Sequence, residues 1–356
     1  MLEIGSLVDG KYKVLRVVGK GGMSVVYQAV NEKENKIWAI KEMHRESVQN
    51  PEGVNQNLVV ETELLKRLDH PNLPKIVDVI DTEESLLIVM DYIEGNTLAK
   101  AIEESGAQDQ DDVVDWAMQL CDVLGYLHSR VPPIIYRDMK PSNVMLKPDG
   151  SIALIDFGSA RLFNASSAED ATWLGTMGYA APEQYGGHGQ TDARTDIYGL
   201  GATMYHLVTG HDPSKPPYEM VPVRNLNPSL SSGLEKIILK CTQRDPRERY
   251  DNCAELTVDL QHYRELDDEY IREQDNKWKI FLVCAVIALI AALSALGFKI
   301  GENSMRSAAH EISLEEEIIK EAESPDYDDL NLSSERAKED VEKSVHDHGS
   351  GSAASE

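Results

Sequence analysis

The chain has 356 residues, 42% of them hydrophobic, enough for two domains or one large two-lobed one. Its 61 Asp and Glu against 35 Lys and Arg give a formal net charge of −26. That argues against a nucleic-acid partner, while leaving room for a local basic pocket around a small phosphate ligand. Cys121, Cys241, Cys253 and Cys284 show no short CxxC spacing, so neither a disulfide scaffold nor a zinc site is signalled. The opening MLEIGSLVDG has no basic stretch followed by an apolar run, so no signal peptide is expected.

In chain order, β-rich runs at Tyr12–Val18 and Val25–Val30 are separated by glycines, and a third follows at Lys36–Met43. Val59, Leu64, Leu65 and Leu68 give Val54–Leu68 a helical period that stops before His70-Pro71. Strands are expected again at Lys75–Ile80 and Leu86–Met90. After Gly95 the pattern turns helical, at about 111–129, 194–209, 231–243 and 251–263. Strands first and helices after predict an α+β protein with two lobes, one at about 10–93 and one at about 94–265. Between Gly210 and Leu234, Pro213, Pro216, Pro217, Pro222 and Pro228 disfavour a full-length helix.

Ile280–Phe298 runs nineteen residues without a charge. At about 1.5 Å per residue it reaches roughly 28 Å, close to the thickness of a bilayer core. The alternative, a buried core helix, rarely lacks a polar face over such a length. Lys277, Lys279 and Lys299 flank the run, and Trp278 stands where an interfacial aromatic would. The expected organisation is therefore a globular part at 10–265, a juxtamembrane segment at 266–279, a transmembrane helix at 280–298 and a tail at 299–356. The tail has 16 acidic and 6 basic residues and is expected to be disordered or only partly helical, with a weak helical signal at Ile312, Ile318 and Ile319.

Gly19-Lys20-Gly21-Gly22-Met23-Ser24 lies between two expected strands and, alone, reads as a hairpin turn. No helix follows and no GK[ST] is present, so neither a Rossmann nor a Walker loop fits. Ala39-Ile40-Lys41 on the next strand offers an alternative. Backbone amides of a Gly-rich hairpin approach phosphates, and a neighbouring lysine neutralises them. Further on come Tyr136-Arg137-Asp138-Met139-Lys140-Pro141-Ser142-Asn143, then Asp156-Phe157-Gly158, then Ala181-Pro182-Glu183. In this order and spacing the chain resembles the eukaryotic-like (Hanks-type) protein kinases, over about residues 10–265. It is most similar to the bacterial membrane-anchored serine/threonine kinases, in GKGGMSVVY, where Ser24 replaces the third glycine, and in GYAAPEQY.

The resemblance implies a two-lobed protein kinase fold with ATP and Mg2+ as cofactors. It implies Gly19, Gly21 and Gly22 over the phosphates and Lys41 on the α- and β-phosphates, paired with Glu61, or with Glu63 as runner-up. Asp138 would accept the proton of the substrate hydroxyl. Lys140 would steady the transferred phosphoryl group, a lysine there indicating Ser/Thr substrates. Asn143 and Asp156 would bind magnesium. Val26, Ala39 and Met145 would sandwich adenine, with Met90 at the back wall and backbone groups of Asp91 and Ile93 at its edge. Glu183 would pair with Arg249, Asp196 would accept N–H bonds from the catalytic loop, and Leu65, Ile76, Tyr136 and Phe157 would stack between the lobes. Two departures stand out: Tyr136 takes the place of the usual histidine, and the proline-rich segment is short, which puts docking behaviour in doubt.

Arg137 is expected to be buried near a negative site without a fixed partner. The segment between the DFG and APE motifs holds Ser159, Ser166, Ser167, Thr172 and Thr176. The resemblance implies that phosphate on Thr172 orders this segment, and that Thr176 contacts the catalytic Asp and Lys and is itself a second candidate phosphosite. The expected protein is thus a single-pass cell-membrane kinase with its catalytic part cytoplasmic and its tail outside. Its partners would be protein substrates and a second copy for phosphorylation in trans. The alternative is a pseudokinase-type membrane scaffold, which would be expected to lack Lys41, Asp138 or Asp156; none is lost.

Overall fold

Every second residue of Ser24–Asn31 is buried, the signature of a strand with one face in a core. This is β3 of a six-stranded antiparallel sheet, ordered β1-β2-β3-β4-β6-β5, in a computed structural model that describes residues 1–21, 24–44, 65–82, 84–157, 160–162, 175–185 and 190–322. The other strands are β1 (Leu7–Val8), β2 (Tyr12–Lys20), β4 (Lys36–His44), β5 (Ile76–Asp81) and β6 (Ser85–Asp91). One face buries Val14, Tyr27, Ala29, Ile40 and Val89 as the small-lobe core. Asn35, at φ 50°, makes the turn into β4, a left-handed position that asparagine tolerates. The predicted helix Val54–Leu68 lies outside the described residues except for its end, where Leu68 N–H bonds Leu65 O at 3.1 Å.

After β7 (Asn96–Thr97) the chain forms α1 (Leu98–Ser105), capped by Thr97, whose side chain accepts from Lys100 N–H at 3.2 Å. α2 (Gln110–His128) starts at the Asp109 cap, and Asp111 and Asp112 complement its dipole. Short strands follow: β8 (Ile134–Ile135), β9 (Val144–Leu146), β10 (Ile152–Leu154) and β11 (Arg161–Leu162). The remaining helices of the large lobe are α3 (Ala193–Thr209), α4 (Val223–Leu226), α5 (Ser232–Cys241) and α6 (Cys253–Gln261). Leu120, Leu124 and Leu127 of α2 share one core cluster with Ile197, Leu200 and Met204 of α3. Gly201 lets α3 meet α5 closely, since a Cβ there would lie 2.5 Å from Cβ of Cys241. Between Gly210 and Ser231 the only helix is the four-residue α4, in keeping with the prolines.

The chain divides into two compact units, Met1–Gln274 and Asp275–Glu356. α7 (Asp268–Ala322) runs on from the first into the second. Its most apolar window has a mean hydropathy of 2.8 and is 0% buried, and by length and composition it is one helix long and apolar enough to cross a membrane. Of the two readings of the tail, disordered or only partly helical, its described part is helical to Ala322, through a stretch rich in Glu and Ile, with Arg306 and Glu302 paired at 3.0 Å one turn apart. Both hydrophobic cores lie wholly before residue 267. Residues 1–274 expressed alone should therefore fold and keep the full chain's basal activity. An unfolded circular-dichroism spectrum of that fragment would return Ile280–Phe298 to the core.

Candidate active site

Strand register assembles the nucleotide-side wall. Val26 lies opposite Lys41, and Ala39 opposite Met90, so all four point to one face of the sheet, away from the small-lobe core. Gly19 sits opposite Val26, and Gly21 N–H closes the hairpin on Ser24 O at 2.8 Å; Gly22 lies outside the described residues. Met145 on β9 is held between Thr97 and Ala153. Asp91 spends its N–H on Lys75 O (3.0 Å), which leaves its carbonyl, rather than its amide, for a ligand edge; Ile93 follows two residues on. Lys41 is buried and ion-paired with Asp156. Its observed partner is thus Asp156; Glu61, the expected partner, lies outside the described residues.

The catalytic loop hangs from Asp196, a buried carboxylate in the first turn of α3. It accepts N–H bonds from Tyr136 (2.9 Å) and Arg137 (2.7 Å), as expected. The sequence did not point to its third partner, His128 Nε2 at 2.8 Å, nor to Gln184, whose Nε2 donates to Arg137 O at 2.7 Å. These bonds hold Arg137 at φ 66°. Asp156 stands at φ 69°. Such left-handed conformations cost non-glycine residues about 1–3 kcal/mol each and persist only where the surroundings fix them. Arg137 is buried, as expected, but is not without a partner, which corrects the second half of that expectation.

Tyr136, in the usual histidine position, donates its hydroxyl to Ile155 O and meets Phe157 edge-on, with ring centroids 5.8 Å apart. Burial, with Asp156, Asp138 and Asp196 nearby, pushes its phenol well above the ordinary range, so it remains a donor and takes no part in proton transfer. Leu65 and Phe157 pack against the large-lobe core, and Ile76 pairs with Met90 in the sheet.

Asp138 is the hub. Lys140 Nζ lies 2.9 Å from Oδ2 and donates to Thr176 Oγ1 at 2.7 Å; the Thr176 hydroxyl donates to Asp138 Oδ1 at 3.0 Å. Asn143 Nδ2 bonds the Asp138 carbonyl (2.8 Å) and Oδ2 (2.9 Å). With its nitrogen so committed, Asn143 has its amide oxygen for a cation. Asn143 O also accepts Ile155 N–H (2.8 Å), tying this loop to the residue before Asp156. Among the described residues no group of three or more His, Cys, Asp or Glu is arranged for a metal. A hard cation held by the oxygens of Asn143 and Asp156 would take its other ligands from substrate phosphates and water. Glu183 and Arg249 form the expected buried pair, at 2.7 and 2.9 Å. Thr172 lies outside the described residues.

A probable serine/threonine-protein kinase of Clostridium perfringens is 32% identical over 270 residues, covering 72% of this chain and 39% of the relative. Serine/threonine-protein kinase PrkC of Bacillus subtilis is 30% identical over 269 residues, covering 72% and 41%. The chain thus spans about two fifths of the length of these curated relatives. The crystal structure of the Mycobacterium tuberculosis PknI kinase domain superposes with a TM-score of 0.60 at 24% identity, over 74% of this chain and 100% of that one, a likeness of fold. The protein kinase domain family matches residues 12–259, and the chain belongs to that family.

Proposed function

We propose that the chain is an ATP-dependent serine/threonine protein kinase, anchored in the cell membrane by one helix with its catalytic unit in the cytoplasm. The observation that carries this reading is the cluster of Asp138, Lys140, Asn143 and Thr176, with the Lys41–Asp156 pair as its second charged element. Asp138 accepts the proton as a Ser or Thr hydroxyl attacks the γ-phosphorus of ATP and the bond from that phosphorus to the β,γ-bridging oxygen breaks, ADP leaving. Lys140, held between Asp138 and Thr176, places its ammonium where charge moves onto the transferred group. Lys41 exchanges Asp156 for the α- and β-phosphates, leaving Asp156 and the Asn143 amide oxygen to hold magnesium. Magnesium there supplies charge neutralisation to the phosphates.

The membrane reading rests on the exposed apolar window of α7 and its flanks, Arg272, Lys277 and Lys279 on one side against Lys299 and Arg306 on the other. ATP is cytoplasmic, so the unit that uses it faces the cytoplasm. A second copy would phosphorylate Thr172 in trans, four residues before Thr176. The test is incubation of the full chain in detergent with γ-labelled ATP, magnesium and a Ser/Thr-containing protein, followed by phosphosite mapping. Labelled Ser or Thr in the substrate, phosphate on Thr172, and reduced activity of Thr172→Ala are expected. No transfer would overturn the kinase reading. An unmodified Thr172 in an active enzyme, with full activity of the alanine variant, would overturn only the regulatory part.

A further inference from the structure

The segment that carries Thr176 is held from behind by a histidine that no catalytic step uses. Tyr179 N–H and Ala180 N–H both donate to Thr176 O, at 3.0 and 2.9 Å, so Tyr179 and Thr176 move as one tight turn. The Tyr179 hydroxyl lies 2.6 Å from Nδ1 of His206, in the last turn of α3, and 3.4 Å from Oδ1 of Asp212. Gly178, at φ 86°, rests on the backbone beside that carboxylate: a Cβ there would stand 2.3 Å from Pro213 O. A continuous path therefore runs from His206 through Tyr179 to the Thr176 hydroxyl, and so to Asp138 and Lys140.

We propose that His206 is a positioning residue for phosphotransfer to protein substrates, and that its protonation shifts the 175–180 turn and weakens substrate engagement in mild acid. The inference rests on the kinase reading above and adds a control to its acceptor side. At 2.6 Å one partner must donate and the other accept. Burial, with Asp212 close by, raises the Tyr179 phenol far above its usual range, so Tyr179 keeps its proton and is the donor. His206 must then be neutral at Nδ1, with its proton on Nε2. Protonation turns Nδ1 into a donor. The bond then reverses, the Tyr179 oxygen accepting from Nδ1–H, and the Tyr179 proton turns to Asp212 at 3.4 Å, which draws the ring toward that carboxylate.

The groups facing His206 settle the direction. Burial holds its pKa below the ordinary value; Asp212 opposes this, and Lys215 and His211 reinforce it. Asp212 is itself desolvated, yet the hydroxyl and N–H of Ser214 keep its carboxyl below the usual range, so it stays charged while His206 titrates. Lys215 lies 3.5 Å from Asp212, and His211 meets Tyr205 edge-on with centroids 6.2 Å apart. His206 is therefore neutral near pH 7, and the contact reverses only as pH falls through its lowered value, below the ordinary imidazole range.

The test compares the full chain with His206→Gln and Tyr179→Phe at about pH 7.5 and about pH 5.5. Glutamine still offers an acceptor oxygen but does not titrate. In the wild type the KM for a protein substrate should rise about fivefold at the lower pH, the worth of one hydrogen bond of about 1 kcal/mol, with little change in the KM for ATP. In His206→Gln the same pH step should change the substrate KM less than about twofold. Tyr179→Phe should show a raised KM at both pH values and the same flat profile. Hydrogen exchange at the Tyr179 and Ala180 amides, corrected for intrinsic rate, should quicken in acid in the wild type and not in His206→Gln. That measurement needs no catalysis, so an inactive protein would sink the kinase reading while leaving this arm decisive. An acid response of the amides that is equal in the wild type and both variants would overturn the proposal, as would an equal KM response.

Discussion

Asp138→Asn should lower turnover of a protein substrate by about 10²–10⁴-fold, the usual contribution of a positioned general base, while leaving the protein folded and the KM for ATP nearly unchanged. Asparagine keeps the size of the side chain and one acceptor oxygen. Lys140 or Thr176 can still find that oxygen, and the bond from Asn143 to the residue-138 carbonyl is untouched. What is lost is the carboxylate that takes the hydroxyl proton. The loss should therefore fall on kcat, because Lys41 and Asp156, which face the phosphates in the proposed mechanism, are unaltered. Steady-state kinetics, beside a thermal melt of the same preparation, would check this. A variant within about threefold of wild-type turnover would remove Asp138 from the proton-transfer role.

The parts of this site that were legible in the sequence are those set by local pattern or by short spacing. Alternation gave β2 to β6 to within two residues, and the motif order placed Lys41, Asp138, Asn143 and Asp156. The parts that were not legible are contacts between residues far apart in the chain. His128 and Asp196 are separated by 68 positions, and Arg137 and Gln184 by 47. Neither His128 nor Gln184 carries a local signal, because a histidine at a helix end and a glutamine after Pro-Glu are unremarkable in composition. Strands β7 to β11 have two or three residues each, too few for an alternation to register. The tail left two readings open for a different reason. Acidic composition reads as disorder or partial helix, yet the Glu and Lys that lower its hydropathy are good helix formers, and helix persists to Ala322.

Arg249→Ala should destabilise the 1–274 unit by about 3–5 kcal/mol, a drop of roughly 10 °C in Tm, the largest stability loss expected of a single substitution in the large lobe. The Arg249 side chain is 0% exposed, and all of its N–H groups are used. Nε donates to Gln243 O at 2.8 Å. Nη1 serves Glu183 Oε1 (2.7 Å) and Arg194 O (3.0 Å), and Nη2 serves Glu183 Oε2 (2.9 Å) and Arg244 O (3.2 Å). Removing the guanidinium strands a buried carboxylate and three carbonyls, with only Thr195 Oγ1 left to bond Glu183 Oε1. Lysine cannot rescue this, because one ammonium with three donors cannot reproduce the five-donor fork. Glu183→Gln combined with Arg249→Met should cost less than the sum of the two single changes, since neither charge is then left buried alone. The damage should also reach catalysis. Glu183 precedes Gln184, whose amide holds Arg137 O and accepts Ala181 N–H at 2.9 Å, so a loosened Glu183 releases the carbonyl one residue before Asp138. Denaturant unfolding of the single and double variants would measure the coupling. A loss below about 1 kcal/mol for Arg249→Ala would mean that the pair, though buried, is replaceable and does not anchor the substrate segment.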